Sequence, residues 1–315
     1  MKTFIKTVLG YDPDNVDLEG GALGVVQAYY GCVEAQGRGT LHCHMLVWVE
    51  GGLNPNKIRD CVMKDDENEF RKRLVEFLDD TISTCIPDPP PVRVKVPSSK
   101  YHLSSVRGIQ NSVLSDMRDH TIQQDFRNLV VKSQLHKHSN TCYKYCKGTS
   151  LECHFELGED KRHPETIVNR ETGEIHLQRL DGWVNNFNET MIRSIRCNMD
   201  IKFIGSGAST KAVLYYITDY ITKSRLKANV AYAALELSVK KPGQFDLNED
   251  SVTIRAKCLL QRCAYSMISK QELSGQEVAM YLSGFQDHYT SHLFRNVYWA
   301  NFEKAVDTMD LSPEC

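Results

Sequence analysis

His42 and His44 flank a single residue in the stretch Glu34-Ala-Gln-Gly-Arg-Gly-Thr-Leu-His-Cys-His-Met-Leu-Val-Trp48. On a β-strand, residues two apart point to the same face, so both imidazoles share a side. Gly37-Arg38-Gly39 supplies a tight reversal between two apolar arms, which predicts a hairpin. With the turn centred near Gly39, Gln36 lies opposite His42 and Glu34 opposite His44. Two neutral imidazoles and one hard oxygen donor suit a divalent cation, with coordination positions left for substrate oxygens. A second constellation lies far downstream, in Tyr216-Ile-Thr-Asp-Tyr220-Ile-Thr-Lys223. Tyrosines at i and i+4, with a lysine three further on, share one helical face. A phenol, with a free pKa near 10, attacks a phosphodiester only when a metal polarises the phosphate and a cation eases loss of the proton. The histidine pair can hold that metal and Lys223 can supply that cation. Two tyrosines allow two successive transesterifications.

The segments Gly31-Cys-Val-Glu-Ala-Gln-Gly-Arg-Gly-Thr-Leu-His-Cys-His and Tyr215-Tyr-Ile-Thr-Asp-Tyr-Ile-Thr-Lys resemble the replication-initiator (Rep) domain of Helitron transposons. That domain is a two-tyrosine member of the HUH endonuclease superfamily. Asn185-Asn-Phe-Asn-Glu and Arg196-Cys-Asn-Met-Asp-Ile extend the likeness along most of the chain. The resemblance implies rolling-circle chemistry on single-stranded DNA in the nucleus. One tyrosine cuts to leave a 5′-phosphotyrosine and a free 3′-OH, and the other transfers the strand. It also implies that His42 and His44, with Glu34 or Gln36, ligate Mg²⁺ or Mn²⁺, and that Tyr216 and Tyr220 are nucleophiles. Glu34 is favoured over Gln36, because a carboxylate offsets the divalent charge better than an amide.

Residues 136–155 hold a second group of metal-type donors: His136, His138, Cys142, Cys146 and Cys153. The segment is polar and poorly periodic, so a structural Zn²⁺ would replace the apolar core it lacks. Helitron sequences carry HxHxxxC followed by CRF, which selects His136, His138, Cys142 and Cys153, with Cys146 as the alternative fourth ligand. Cys153-His154-Phe155 departs from that pattern at its basic position.

The elements that must hold these residues follow from composition and pattern. The 315 residues are 41% hydrophobic and 25% charged, as in globular proteins, with a formal charge of −2. Any DNA surface is therefore local, and Lys211, Lys223, Arg225 and Lys227, opposed only by Asp219, are its best candidate. The eleven cysteines, odd in number and scattered, fit a reducing compartment. No run of eighteen apolar residues predicts a membrane span.

Residues 1–10 are expected to be helical, and 55–83 to form wet-surface helices. Cys85-Ile-Pro-Asp-Pro-Pro-Pro opens an extended connector through Ser99. A further helix is expected over 112–127, a hairpin over 165–180 and a strand over Met199–Ile204. Residues 249–310 read as all-helical, with a capping box at Ser274–Glu277. Gly205-Ser-Gly-Ala-Ser-Thr-Lys211 lacks P-loop spacing and is a strand-to-helix turn. Asp200 could orient a catalytic group. His102, His120, His288 and His292 have no partner pattern.

The fold expected is α+β, with a central antiparallel sheet of HUH type, flanking helices and a helical C-terminal region. The expected divisions are a metal-site part (1–83), the connector (84–100), a helical and zinc-knuckle insertion (101–164), strands with the tyrosine helix (165–230) and a helical end (231–315). The resemblance also implies a helicase after the Rep domain and an early strand before Met1. The expectation is thus a truncated copy, with any helicase supplied in trans. The competing readings are an inactive relict that only binds DNA, and a metallohydrolase using water.

Overall fold

The computed structural model describes all residues except 15–19, 37–39, 65–68, 97–103, 105–114, 144–152, 206–207, 223–227, 241–251, 271, 296–297, 299, 302 and 305–315. The chain divides into two compact units: residues 1–27 with 48–224, and residues 28–47 with 225–315. It mixes helices with a small antiparallel sheet, which agrees with the expected fold class at that level.

The first unit opens with α1 (Lys2–Thr7). The chain then doubles back so closely that a Cβ on Gly21 would lie 2.2 Å from the Leu9 backbone, which only glycine avoids. After the hairpin come α2 (Pro55–Val62) and α3 (Glu69–Thr81), as the amphipathic spacing predicts. Asn54 caps α2 by accepting from the Lys57 amide, with Pro55 at the first helical position. The proline-rich residues 84–96 form neither helix nor strand, as three adjacent prolines require.

α4 (Ser115–Ser133) and α5 (Glu189–Ile195) enclose the core of this unit. Leu129 and Val130 pack there with Val184, Phe187 and Ile192, all at most 1% exposed. Each such side chain contributes about 2–3 kcal/mol relative to an exposed position. Arg196 ends α5 in the left-handed conformation (φ 56°), which disfavours a β-carbon. It is held there by paired bonds of 2.7 and 2.8 Å to the Asp125 carboxylate on α4.

The Asn185–Glu189 segment is an internal clamp. The Asn185 and Asn186 side chains donate to the carbonyls of Met199 and Ile201, and Phe187 fills the core. Asn188 caps α5 and donates to the Ala22 and Thr81 carbonyls. This corrects the strand expected over Met199–Ile204, which forms no strand and pairs with none among the described residues. Two side-chain amides and a main-chain bond from Ile201 N to the Asn186 carbonyl serve its backbone where a ladder would otherwise be needed.

The expected hairpin is present as β3 (Ile167–Val168) paired with β4 (Ile175–His176). Asp200, expected as a possible orienting group, is exposed and 3.7 Å from Lys202. The unit ends with α6 (Ala208–Thr222), the tyrosine helix.

In the second unit, β1 (Val26–Gln36) is the middle strand of three, between β2 (Thr40–Val49) and β5 (His288–Thr290). Three residues join β1 to β2, too few for anything but an antiparallel return. α7 (Ala228–Lys240) packs on α8 (Val252–Ile268), with Ala234, Ser238 and Cys263 buried. α9 (Gly275–Leu282) starts with the capping box expected, Ser274 and Glu277 exchanging both bonds. The all-helical expectation for 249–310 fails at β5. This short strand pairs antiparallel with β1, Tyr30 opposite Thr290 and Cys32 opposite His288. Among the described residues no helix is long and apolar enough to cross a membrane.

Candidate metal centres

Alternation along β2 turns His42 and His44 to one face and Cys43 and Met45 to the other. On that other face β1 carries Gly31, where a Cβ would come within 2.9 Å of Met45 and 3.4 Å of Cys43. The missing side chain lets the neighbouring strand seat both. Burial pushes the Cys43 thiol up to about 11, which favours its protonated form.

On the functional face the two imidazole rings lie 4.7 Å apart, edge to face. Glu34 reaches across from β1, its Oε1 3.4 Å from His44 Nε2. His44 and Glu34 keep 10% and 24% of their side-chain exposure, so the cluster is largely buried but still reached by solvent. Adjacent ligands on an octahedral ion at 2.0–2.1 Å lie about 3 Å apart, close to the separation seen. Burial first, and then the neighbouring His44, holds His42 below its ordinary pKa, against the opposing pull of Glu34. The neutral imidazole favoured by that shift is the form that binds metal. The donor set therefore fits a hard or borderline divalent cation. The Gln36 side chain lies outside the described residues.

The second cluster grows out of the C-terminal end of α4. Leu135 forms a bridge to Val184, and the His136 amide donates to the Trp183 carbonyl, fixing the start of the loop on the core. A 3-10 turn over Asn140–Tyr143 presents Cys142, and the His154 amide donates to the Cys142 carbonyl, bringing Cys153 alongside. The ligand atoms of His136, His138, Cys142 and Cys153 all lie within 4.8 Å of one another. His136 Nε2 is 3.3 Å from Cys142 Sγ and 3.4 Å from Cys153 Sγ. Tetrahedral zinc, with Zn–N near 2.0 Å and Zn–S near 2.3 Å, separates its ligands by about 3.5 Å.

Burial opposes ionisation of Cys142. The Ser139 amide, His138 and the Ser139 hydroxyl nevertheless outweigh it and bring the thiol down to about 7. Burial, with His138 close by, keeps His136 below its ordinary value. Two sulfurs and two nitrogens are already gathered, with Cys142 and His136 biased toward their ligating forms, and can bind a metal such as zinc. Cys146, the alternative ligand, lies outside the described residues.

Tyr216 sits on α6 and is 53% exposed. The backbone of Tyr220 continues the same helix, while its side chain, and Lys223, Arg225 and Lys227, lie outside the described residues. Lys211 is exposed on α6.

Residues 1–47 match the family model described as the Helitron helicase-like domain at the N-terminus. The matched stretch contains Glu34, His42 and His44 and supports a Helitron-related, transposon-associated protein. No curated protein and no solved structure matches the chain significantly.

Proposed function

We propose that the chain is a rolling-circle DNA endonuclease and strand transferase that cuts single-stranded DNA through a 5′-phosphotyrosine. The observation that carries this reading is the convergence of His42, His44 and Glu34 on one open sheet face, within the segment matched to the Helitron family model. These three side chains would hold Mg²⁺ or Mn²⁺. When bound, the ion supplies Lewis-acid polarisation of the scissile phosphate. Tyr216 and Tyr220 serve as nucleophiles, and Lys223 favours loss of the phenolic proton. Single strands are the natural substrate because the phosphate must be approached from both sides.

The proposed partner is single-stranded DNA in the nucleus. The second cluster takes a structural role: its four donors close a tetrahedral set and leave no position for substrate.

The test is incubation with a single-stranded oligonucleotide library and Mn²⁺, followed by denaturing electrophoresis. A covalent protein–DNA band is expected that disappears with chelator and changes in Tyr216→Phe and Tyr220→Phe. A folded protein that retains DNA but forms no adduct would replace this reading with a non-catalytic binding role. Metal-dependent cutting without an adduct, indifferent to both tyrosines, would point to hydrolysis by water.

A further inference from the structure

The three-residue strand β5 adds a histidine to the functional face of the sheet. Bonds from Val33 N to the Asp287 carbonyl and from Ser291 N to the Tyr29 carbonyl fix the ladder, so Cys32 and His288 form the non-hydrogen-bonded pair between them. Such partners lie about 4.5 Å apart at Cα, with side chains on one face. Cys32 and Glu34 are two apart on β1 and share that face. His288 is thus the diagonal neighbour of Glu34, a relation that places such residues about 7–8 Å apart. All of these residues belong to the second unit.

The imidazole is also preorganised. Its Nδ1 lies 2.8 Å from Asp287 Oδ1, and the other Asp287 oxygen accepts a 2.6 Å bond from the Tyr281 hydroxyl. The Tyr30 ring packs edge-on against it at 5.9 Å and is itself backed by Phe294 at 5.6 Å. A carboxylate on Nδ1 fixes ring and tautomer and leaves Nε2 to handle a proton. Nε2 has no hydrogen-bond partner among the described residues, and the side chain is 43% exposed. The titratable groups facing the ring are Asp287, Tyr30 and Cys32, with Tyr281 behind Asp287.

We infer that His288, oriented by Asp287, is the acid–base residue for the DNA 3′-oxygen; the inference rests on the nuclease reading above. In cleavage the phosphorus–O3′ bond breaks as a tyrosine oxygen–phosphorus bond forms. The tyrosine proton passes to solvent, and the departing 3′-oxygen takes a proton from Nε2 of the imidazolium. In strand transfer the incoming 3′-hydroxyl gives its proton back to Nε2 as it attacks phosphorus, and the released tyrosine is reprotonated from solvent.

The experiment compares two versions of an oligonucleotide that the protein cuts, one with the ordinary scissile 3′-oxygen and one with sulfur at that bridging position. A thiolate leaves without protonation. His288→Gln is expected to slow adduct formation about 100-fold or more on the oxygen substrate and less than about threefold on the sulfur substrate. Asp287→Asn should give a smaller loss with the same pattern. Equal losses on both substrates, or none on either, would overturn the assignment. Should wild-type protein form no adduct on any oligonucleotide, the nuclease reading itself falls and this role with it. That outcome is distinct from an active enzyme indifferent to His288→Gln.

Discussion

The histidine–cysteine cluster gathers two nitrogens and two sulfurs from one short segment (136–153), with Cys142 fully buried. The histidine hairpin gathers two nitrogens and a carboxylate oxygen from two strands, with His44 and Glu34 partly exposed. The first arrangement offers the four donors that a tetrahedral ion takes, which suits a metal that holds protein together. The second offers three donors among the described residues, fewer than an octahedral ion takes, which suits an ion that also meets a substrate. Donor softness separates them as well, since thiolates select zinc whereas a carboxylate suits magnesium or manganese. The two donor sets thus differ in number and in hardness.

The contrast breaks most sharply at the hairpin. His42→Ala is expected to cut metal-dependent adduct formation by about 100-fold or more while moving the melting temperature by only a few degrees. A large drop in melting temperature on that substitution would make the hairpin ion structural. Cys142→Ala should do the converse, abolishing bound zinc measured by elemental analysis and lowering the melting temperature by about 10 °C. If zinc stayed bound at full stoichiometry, the cluster assignment would fail.

Acid sharpens the comparison further. In metal-free protein the Cys142 thiol is held at about 7, below its ordinary value of 9.0, so its contribution is complete above pH 9. That stability is lost as pH falls toward 7, because the unfolded chain takes up the proton first. Chemical denaturation of chelated protein should therefore show greater stability at pH 9 than at pH 7, and Cys142→Ala should remove that slope. The smallest effect expected is for Ser274→Ala, which breaks the α9 capping box at a cost of about 1 kcal/mol and leaves zinc content unchanged.

What the sequence disclosed was local. The hairpin, the helices over 55–83, the capping box and the clustered histidines and cysteines announce themselves through spacing within a few residues. Met199–Ile204 misled because alternation marks an extended chain but does not say what bonds its backbone. Here the bonds come from Asn185 and Asn186 side chains. β5 escaped because three residues carry no measurable periodicity and their partner strand lies some 260 positions earlier, the Tyr29–Ser291 separation being 262. His288 therefore looked solitary. A feature that hinted at it was Asp287 beside it, an acid–imidazole neighbour pair, but such pairs are common on surfaces.

The distance between β1 and β5 along the chain also bears on biosynthesis. A ribosome adding 5–20 residues per second needs roughly 10–50 s to travel from the middle strand to its last partner. Throughout that interval the edge of β1 that β5 will cover has no partner, and the sheet face lacks His288 and Asp287. A nascent or prematurely terminated polypeptide would carry the metal donors without the third strand.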